Sequence, residues 1–430
     1  MRRRVVVTGM AGLSPIGSDW KTVSEALRSG RSGIEYLEEL ARIDGMATRL
    51  AARVNDFEVP DGYPRKRIRS MGRVSLLATR ATELALADAG LLDNSLLGAG
   101  RVGISYGSTS GSPPAIAVYA DAIGNRQTLR GIRATDYVQF MSHTVAANLA
   151  QFFEVRGRIV TTCSACTSGS QGIGYGFEAI QAGKQDIMIT GGAEEFHPID
   201  VAVFDVMYAT STRNDAPQSS PRPFDRARDG LVVGEGAATL VLEELEHARA
   251  RGARIHAELV GYGTNCDGRH ITNPDREGMA AVMRLALGDA GLESDSIGYV
   301  GAHGTATEAG DIAESLAMQD VFGEHIPTSS LKSFMGHTLG ACGALESWMM
   351  IEMQREGWFA PTLNLDEPDP RCGRLDYLMG GARRIETEYV MKNNFAFGGV
   401  NTSLVFRRAD GGAVSCARAA RRRSGRRIGT

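Results

Sequence analysis

One internal repeat constrains this chain more than any other feature of its sequence. The octapeptide Leu84-Ala-Leu-Ala-Asp-Ala-Gly-Leu91 returns as Leu285-Ala-Leu-Gly-Asp-Ala-Gly-Leu292, with one difference. Ahead of each copy, apolar residues recur at helical spacing (Leu76, Leu77 and Leu84; then Met279, Val282, Met283 and Leu287). Gly90 and Gly291 stand where a left-handed glycine ends a helix. Behind each copy runs a short strand-like segment closing on small residues, 102–108 and 297–304. A second correspondence, strand then small-residue turn then helix, links 158–174 with 327–343. Helices alternating with short apolar strands predict an α/β fold with mainly parallel or mixed sheets. The chain therefore divides into two similar α/β halves, 1–255 and 256–408, followed by a tail, 409–430.

Composition narrows what such a duplicated chain can do. At 430 residues it is too long for one small core, and 43% apolar with 23% charged residues is globular composition. No run approaches the roughly 20 apolar residues of a membrane span, so no membrane role is expected. A net charge of -3 gives no electrostatic reason to expect nucleic acid. Six arginines (418, 421, 422, 423, 426 and 427) crowd the tail, which reads as a solvated, disordered end. Six scattered cysteines are no disulfide framework, and a reducing cytoplasm fits. Arg2-Arg3-Arg4 before Val5-Val6-Val7 imitates a signal peptide, but the run breaks at Thr8-Gly9 and reads instead as a first β-strand.

Reactive side chains stand at three small-residue turns. Cys166 lies in Ser164-Ala-Cys-Thr-Ser-Gly-Ser-Gln-Gly, after an apolar strand and before a helix. That layout is a nucleophile elbow with sulfur for oxygen, and a helix N-terminus aimed at sulfur favours thiolate. The small neighbours would let a substrate backbone come close. Cys163 and Cys166 form a Cys-x-x-Cys pair, but the other cysteines are solitary, which disfavours a metal or redox site. Cys163 reads as an apolar strand residue. His303, in Gly301-Ala-His-Gly-Thr, and His337, in Met335-Gly-His-Thr, each close a strand-like segment beside glycine. The other six histidines lack that setting and read as surface or satisfied core residues. Lys332, in an apolar segment, needs a carboxylate if buried; Asp311, Glu314 and Glu346 are available. Residues 393–401 form a glycine-hinged loop whose amides can nest an anion.

Together these segments resemble the β-ketoacyl-ACP synthases, the decarboxylating condensing enzymes of thiolase fold. The motifs are Val6-Val-Thr-Gly-Met10, Ser164-Ala-Cys166, Gly191-Gly-Ala-Glu-Glu195, Ser211-Thr-Arg-Asn-Asp215, Arg222-Pro-Phe-Asp-Arg-Ala-Arg-Asp-Gly230, His303-Gly-Thr305, Lys332-Ser333, Gly336-His337 and Phe395-Ala-Phe-Gly-Gly399. The resemblance implies a five-layered α-β-α-β-α core and a Cys166–His303–His337 catalytic set, with Lys332, Glu314, Asp311 and Glu346 in support. It implies an oxyanion hole and gate at Cys166, Phe395 and Phe397, and pantetheine contacts from Thr305 and Thr307. It further implies an acyl pocket at Ser110 and Phe204, and carrier-protein docking at Arg65, Lys66, Arg67 and Arg69. Substrates would arrive on the phosphopantetheine arm of an acyl carrier protein, with no metal and no added cofactor. The partner would be a second copy of the chain or a homologous chain-length factor.

The chain departs from the family pattern in places. Thr167-Ser168 follows the nucleophile where Ala-Thr is usual, Ala306 replaces a serine, and Ala396 replaces a glycine. Tyr208 stands where a docking arginine is often found. Thiolases share the fold but use an early and a late cysteine; residues 1–162 contain none, and the late loop reads Phe397-Gly-Gly-Val-Asn401.

Overall fold

The apolar runs of this chain do not alternate with polar residues because both faces of its strands are covered. The computed structural model describes residues 2–409, so nearly all of the arginine-rich tail, and the reading made of it, lies outside the described residues. The first half contributes β1 (Val5–Leu13), β2 (Val102–Gly107), β3 (Ile159–Thr162), β4 (Ile187–Glu194) and β5 (Gly236–Glu244). The second contributes β6 (Ala257–Cys266), β7 (Ile297–Gly301), β8 (Pro327–Ser329), β9 (Asp376–Tyr377), β10 (Tyr389–Phe395) and β11 (Val400–Arg408). The helices that cover them are α1 (Arg73–Asp88), α2 (Thr144–Phe152), α3 (Ser168–Gln181), α4 (Arg276–Ala290), α5 (Glu308–Phe322) and α6 (Cys342–Glu356).

The duplication is visible in the strand order. The first half runs β3-β2-β4-β5-β1 and the second β8-β7-β10-β11-β6, with β9 added at the far edge. In each half the first three strands are parallel and the next two pairings are antiparallel. The repeated octapeptide ends α1 and α4, and Gly90 and Gly291 take left-handed φ values of 66° and 65°. The two half-sheets are not separate. Val5, Val6 and Val7 pair with Leu259, Glu258 and Ala257, joining β1 to β6 in one eleven-stranded sheet. The Thr8-Gly9 break is a register shift within β1, which continues to Leu13.

Successive residues of one strand enter different cores. Ile187 and Ile189 of β4 belong to the core that holds Leu77, Ala81 and Leu149, whereas Met188 belongs to the one that holds Phe177 and Trp348. In the second half Val405 joins Met283 and Met318 of α4 and α5, while Leu404 and Phe406 join the same middle core as Met188. The layers are therefore α1/α2, half-sheet, α3/α6, half-sheet and α4/α5. Burying both faces brings large apolar areas together, each fully buried aliphatic or aromatic side chain contributing roughly 1.5–3 kcal/mol.

Candidate active site

The two middle helices bring the reactive turns together. Before α3, Ala165–Thr167 form a tight turn; before α6, Leu339–Ala341 form its counterpart. Each starts with a non-glycine residue in the left-handed region, Ala165 at φ 48° and Leu339 at φ 45°. Such positions cost roughly 1–3 kcal/mol each and persist only where the surroundings fix them. The glycines after Cys166 serve this packing, which differs from the substrate access expected of them. A Cβ at Gly172 would sit 2.8 Å from the Gly191 carbonyl of β4, and one at Gly169 2.8 Å from the Gly340 carbonyl.

Cys166 is buried, and its Sγ lies 2.9 Å from His337 Nε2. His303 stands with its ring centroid 5.1 Å from that of His337, the planes nearly perpendicular at 88°. One ligand-capable atom from each of the three lies within 4.8 Å of the others. The Leu339 amide donates to His337 Nδ1 at 3.3 Å, so the His337 proton resides on Nε2, facing the sulfur. A nitrogen that carries a proton has no lone pair for a metal, so His337 fits a hydrogen-bond donor and not a ligand. Burial holds both imidazoles well below their ordinary pKa, and the Lys332 charge adds to the effect. Both rings are neutral at neutral pH.

The thiol does not follow the sequence expectation of a favoured thiolate. Burial pushes Cys166 up to about 12, outweighing Lys332 and the backbone N–H groups of Phe397 and Cys166 that face the sulfur. The helix end cannot compensate for removal from water. Cys163 is also corrected: it follows β3, is exposed, and points its Sγ at the Thr109 carbonyl 2.9 Å away. Both cysteines are free.

The expected support network divides in two. Lys332 Nζ meets Glu346 Oε1 at 2.6 Å, and Lys392, which the sequence reading passed over, pairs with the other oxygen of Glu346. All three side chains are buried. Burial pulls Lys332 down, but Glu346 outweighs it and leaves that ammonium raised; for Lys392 burial wins, and the group is lowered. Glu314 makes no ion pair with Lys332. It accepts from the His303 and Gly304 amides at 2.6 and 2.7 Å, and burial lifts it to about 7. Asp311 accepts from Phe224 and Ala306 amides at 2.7 and 3.1 Å and lies 3.6 Å from Arg228. Arg228 in turn holds Asp369 at 2.7 Å, which is the work of the Arg222–Gly230 motif. Glu194, buried and lifted to about 8, accepts from the Gly340 and Thr109 amides and braces the turn after His337.

A cavity of about 460 Å³ opens onto the thiol. Its walls include Cys166, His303, His337, Phe395, Phe397, Phe204, Thr305 and Thr307. The Phe204 and Phe397 rings are 5.5 Å apart, and the Thr305 and Thr307 hydroxyls 2.9 Å. His270, read as an ordinary histidine, also lines it. Ser110 does not; its hydroxyl turns to the Gly111 carbonyl at 3.2 Å. Arg65, Lys66, Arg67 and Arg69 are exposed on and after a short helix that borders a different groove. Arg67 is engaged there by Glu154 and by the Phe152 carbonyl.

A duplicated, thiolase-like α/β core carrying one thiol beside two imidazoles defines an acyltransferase of the condensing type. Comparison with known proteins agrees. Residues 2–248 match the family described as beta-ketoacyl synthase, N-terminal domain, and 256–366 its C-terminal domain. The 3-oxoacyl-(acyl-carrier-protein) synthase 2 of Vibrio cholerae is 39% identical over 415 residues, covering 95% of this chain and 99% of the relative. A crystal structure of a beta-ketoacyl synthase from Burkholderia phymatum is 56% identical with a TM-score of 0.94, covering 95% and 100%. The ishigamide ketosynthase/chain length factor structure is 35% identical with a TM-score of 0.87, covering 95% and 100%. The chain belongs to the β-ketoacyl synthase family.

Proposed function

We propose that this protein is a 3-oxoacyl-ACP synthase that condenses a Cys166-bound acyl group with malonyl-ACP. The observation that carries the reading is the neutral His337, its Nε2–H directed at a buried thiol 2.9 Å away, with His303 beside it and a cavity leading out. In the first half-reaction Cys166 Sγ attacks the thioester carbon of an acyl chain on phosphopantetheine. The oxyanion rests between the Cys166 and Phe397 amides, and the thiol proton leaves with the departing pantetheine sulfur. A thiol raised to about 12 is mostly protonated, so this transfer is concerted with bond formation.

In the second half-reaction the malonyl thioester oxygen takes hydrogen bonds from the Nε2–H groups of His303 and His337. As CO₂ departs, negative charge grows on that oxygen, and preorganised donors act most strongly there. The carbanion attacks the acyl-Cys166 carbon, the Cys166–acyl bond breaks, the released thiolate takes a proton from water, and 3-oxoacyl-ACP leaves. Neutral imidazoles suit this work, because each is a donor that needs no proton delivered. Phe395 and Phe397 border the acyl side, and Thr305 and Thr307 line the route of the pantetheine arm. The scheme requires no added cofactor.

The exposed bases Arg65, Lys66 and Arg69 are suited to an acidic carrier protein, and Tyr208, 92% exposed, leaves the mouth without the usual arginine. A dimer is supported by β3, the outermost strand of the sheet, whose free edge carries Ile159 46% exposed. Likeness to the ishigamide ketosynthase/chain length factor favours a second assembly, with a chain-length factor as partner. The five free cysteines among the described residues suit a cytoplasmic enzyme, and no described helix is long and apolar enough to cross a membrane. Supplying malonyl-ACP with acyl-ACPs of graded length tests the reading. CO₂ release with 3-oxoacyl-ACP formation is expected, and absence of both with every chain length contradicts it.

A further inference from the structure

Strand β10 sends two polar side chains into the apolar middle layer, and neither has a part in the scheme above. Lys392 and Asn394, two residues apart, lie on one face of the strand with Val390. Lys392 Nζ donates to the Gly301 and Ala302 carbonyls at 3.1 and 2.8 Å, besides its pair with Glu346. Those carbonyls close β7 immediately before His303. Asn394 is fully buried, with Nδ2 3.4 Å from His303 Nδ1 and 3.4 Å from Cys342 Sγ.

A chain of donors orients the Asn394 amide. Cys342 Sγ–H donates to the Cys166 carbonyl at 3.2 Å, which spends its only proton. Its sulfur can then only accept, so it meets the NH₂ end of Asn394. The other N–H of that nitrogen meets His303 Nδ1, and an imidazole whose Nδ1 accepts carries its proton on Nε2. We propose that Lys392 and Asn394 are positioning residues for His303: Lys392 anchors the turn that carries the ring, and Asn394 fixes the tautomer that offers Nε2–H to the substrate. This inference rests on the reading in which His303 donates to the malonyl thioester.

The test uses the full-length enzyme labelled with ¹⁵N-histidine, with the His303 signals assigned by their loss in His303→Gln. The wild type should show His303 protonated at Nε2. In Asn394→Asp, nearly isosteric but an acceptor, the proton should move to Nδ1. Malonyl-ACP decarboxylation should then lose about 100-fold in kcat, the usual scale for one oxyanion donor, with KM little changed. Lys392→Met should lose about tenfold or more in kcat by loosening the turn. A wild-type ring protonated at Nδ1, or an Asn394→Asp enzyme with wild-type kcat and spectrum, overturns the proposal. A folded Lys392→Met enzyme at wild-type kcat overturns its lysine half; if that variant does not fold, Lys392→Gln is read the same way. Nδ1 protonation in an active enzyme sinks this inference and the donor role of His303 while leaving the condensation reaction standing, whereas an inactive wild type with the Nε2 tautomer sinks the function and leaves the geometry.

Discussion

Among the described residues Glu346 alone pairs with two buried ammonium groups, Lys332 at 2.6 Å and Lys392 on its other oxygen, each side chain no more than 2% exposed. Glu346→Gln keeps the shape and removes the charge. Breaking a buried ion pair from one side costs about 3–5 kcal/mol, because the remaining charges lose their counterion. At roughly 2.1 cal/mol/K per residue, 430 residues give an unfolding entropy of about 0.9 kcal/mol/K, so Tm should fall by about 3–6 °C. The loss should also depend on pH. Without Glu346 both lysines have folded pKa values below the unfolded value of about 10.4, so the unfolded chain binds more protons between those values. The penalty is full below the folded pKa and fades as pH rises towards about 10. Differential scanning calorimetry of both proteins at pH 7 and 9.5 checks this. A deficit that shrinks at the higher pH is expected; no deficit, or the same deficit at both, would refute the reasoning.

Other outcomes follow from the same geometry. Cys166→Ala should abolish acyl transfer while Cys163→Ala, at an exposed position, keeps most of it, as read by transfer of radiolabelled acyl groups from acyl-ACP. Because burial and Lys332 hold both imidazoles well below 6.5, lowering pH towards 6.5 should not protonate them. Decarboxylation kcat should therefore stay flat from pH 8 to 6.5; a loss centred at 6.5 would place the rings in water-like surroundings. Charge reversal of Lys66 and Arg69 should raise KM for malonyl-ACP, and the effect should diminish at high salt. Malonyl-pantetheine, which lacks the carrier protein, should be unaffected.

The duplication, and with it the fold, was legible because each half repeats one order of helix, glycine stop, strand and turn. Cys166, His303 and His337 were legible because each sits at a small-residue turn after an apolar stretch, a local pattern. What the sequence concealed depends on contacts across the sheet. Lys392 and Asn394 lie in a run of polar residues within the final strands; Asn394 was read only as part of the 393–401 glycine-hinged loop, and Lys392 was given no role. Glu314 and Asp311 looked like partners for Lys332 from helical spacing, yet their oxygens are taken by backbone amides of the 303–306 turn and by Phe224. The thiol was misjudged because a helix end is visible in sequence, whereas the depth at which it is buried is not. Joining of the half-sheets through Val5–Val7 was likewise beyond local reading.

The covalent intermediate is the point at which the account is most exposed. Incubating the purified enzyme with acyl-ACP alone, without malonyl-ACP, and mapping the added acyl mass by tandem mass spectrometry reads it directly. One acyl group per chain on Cys166, discharged when malonyl-ACP is added, is the result required. Acylation at Cys163 or Cys342 instead, or an acyl-Cys166 that malonyl-ACP leaves untouched, contradicts it.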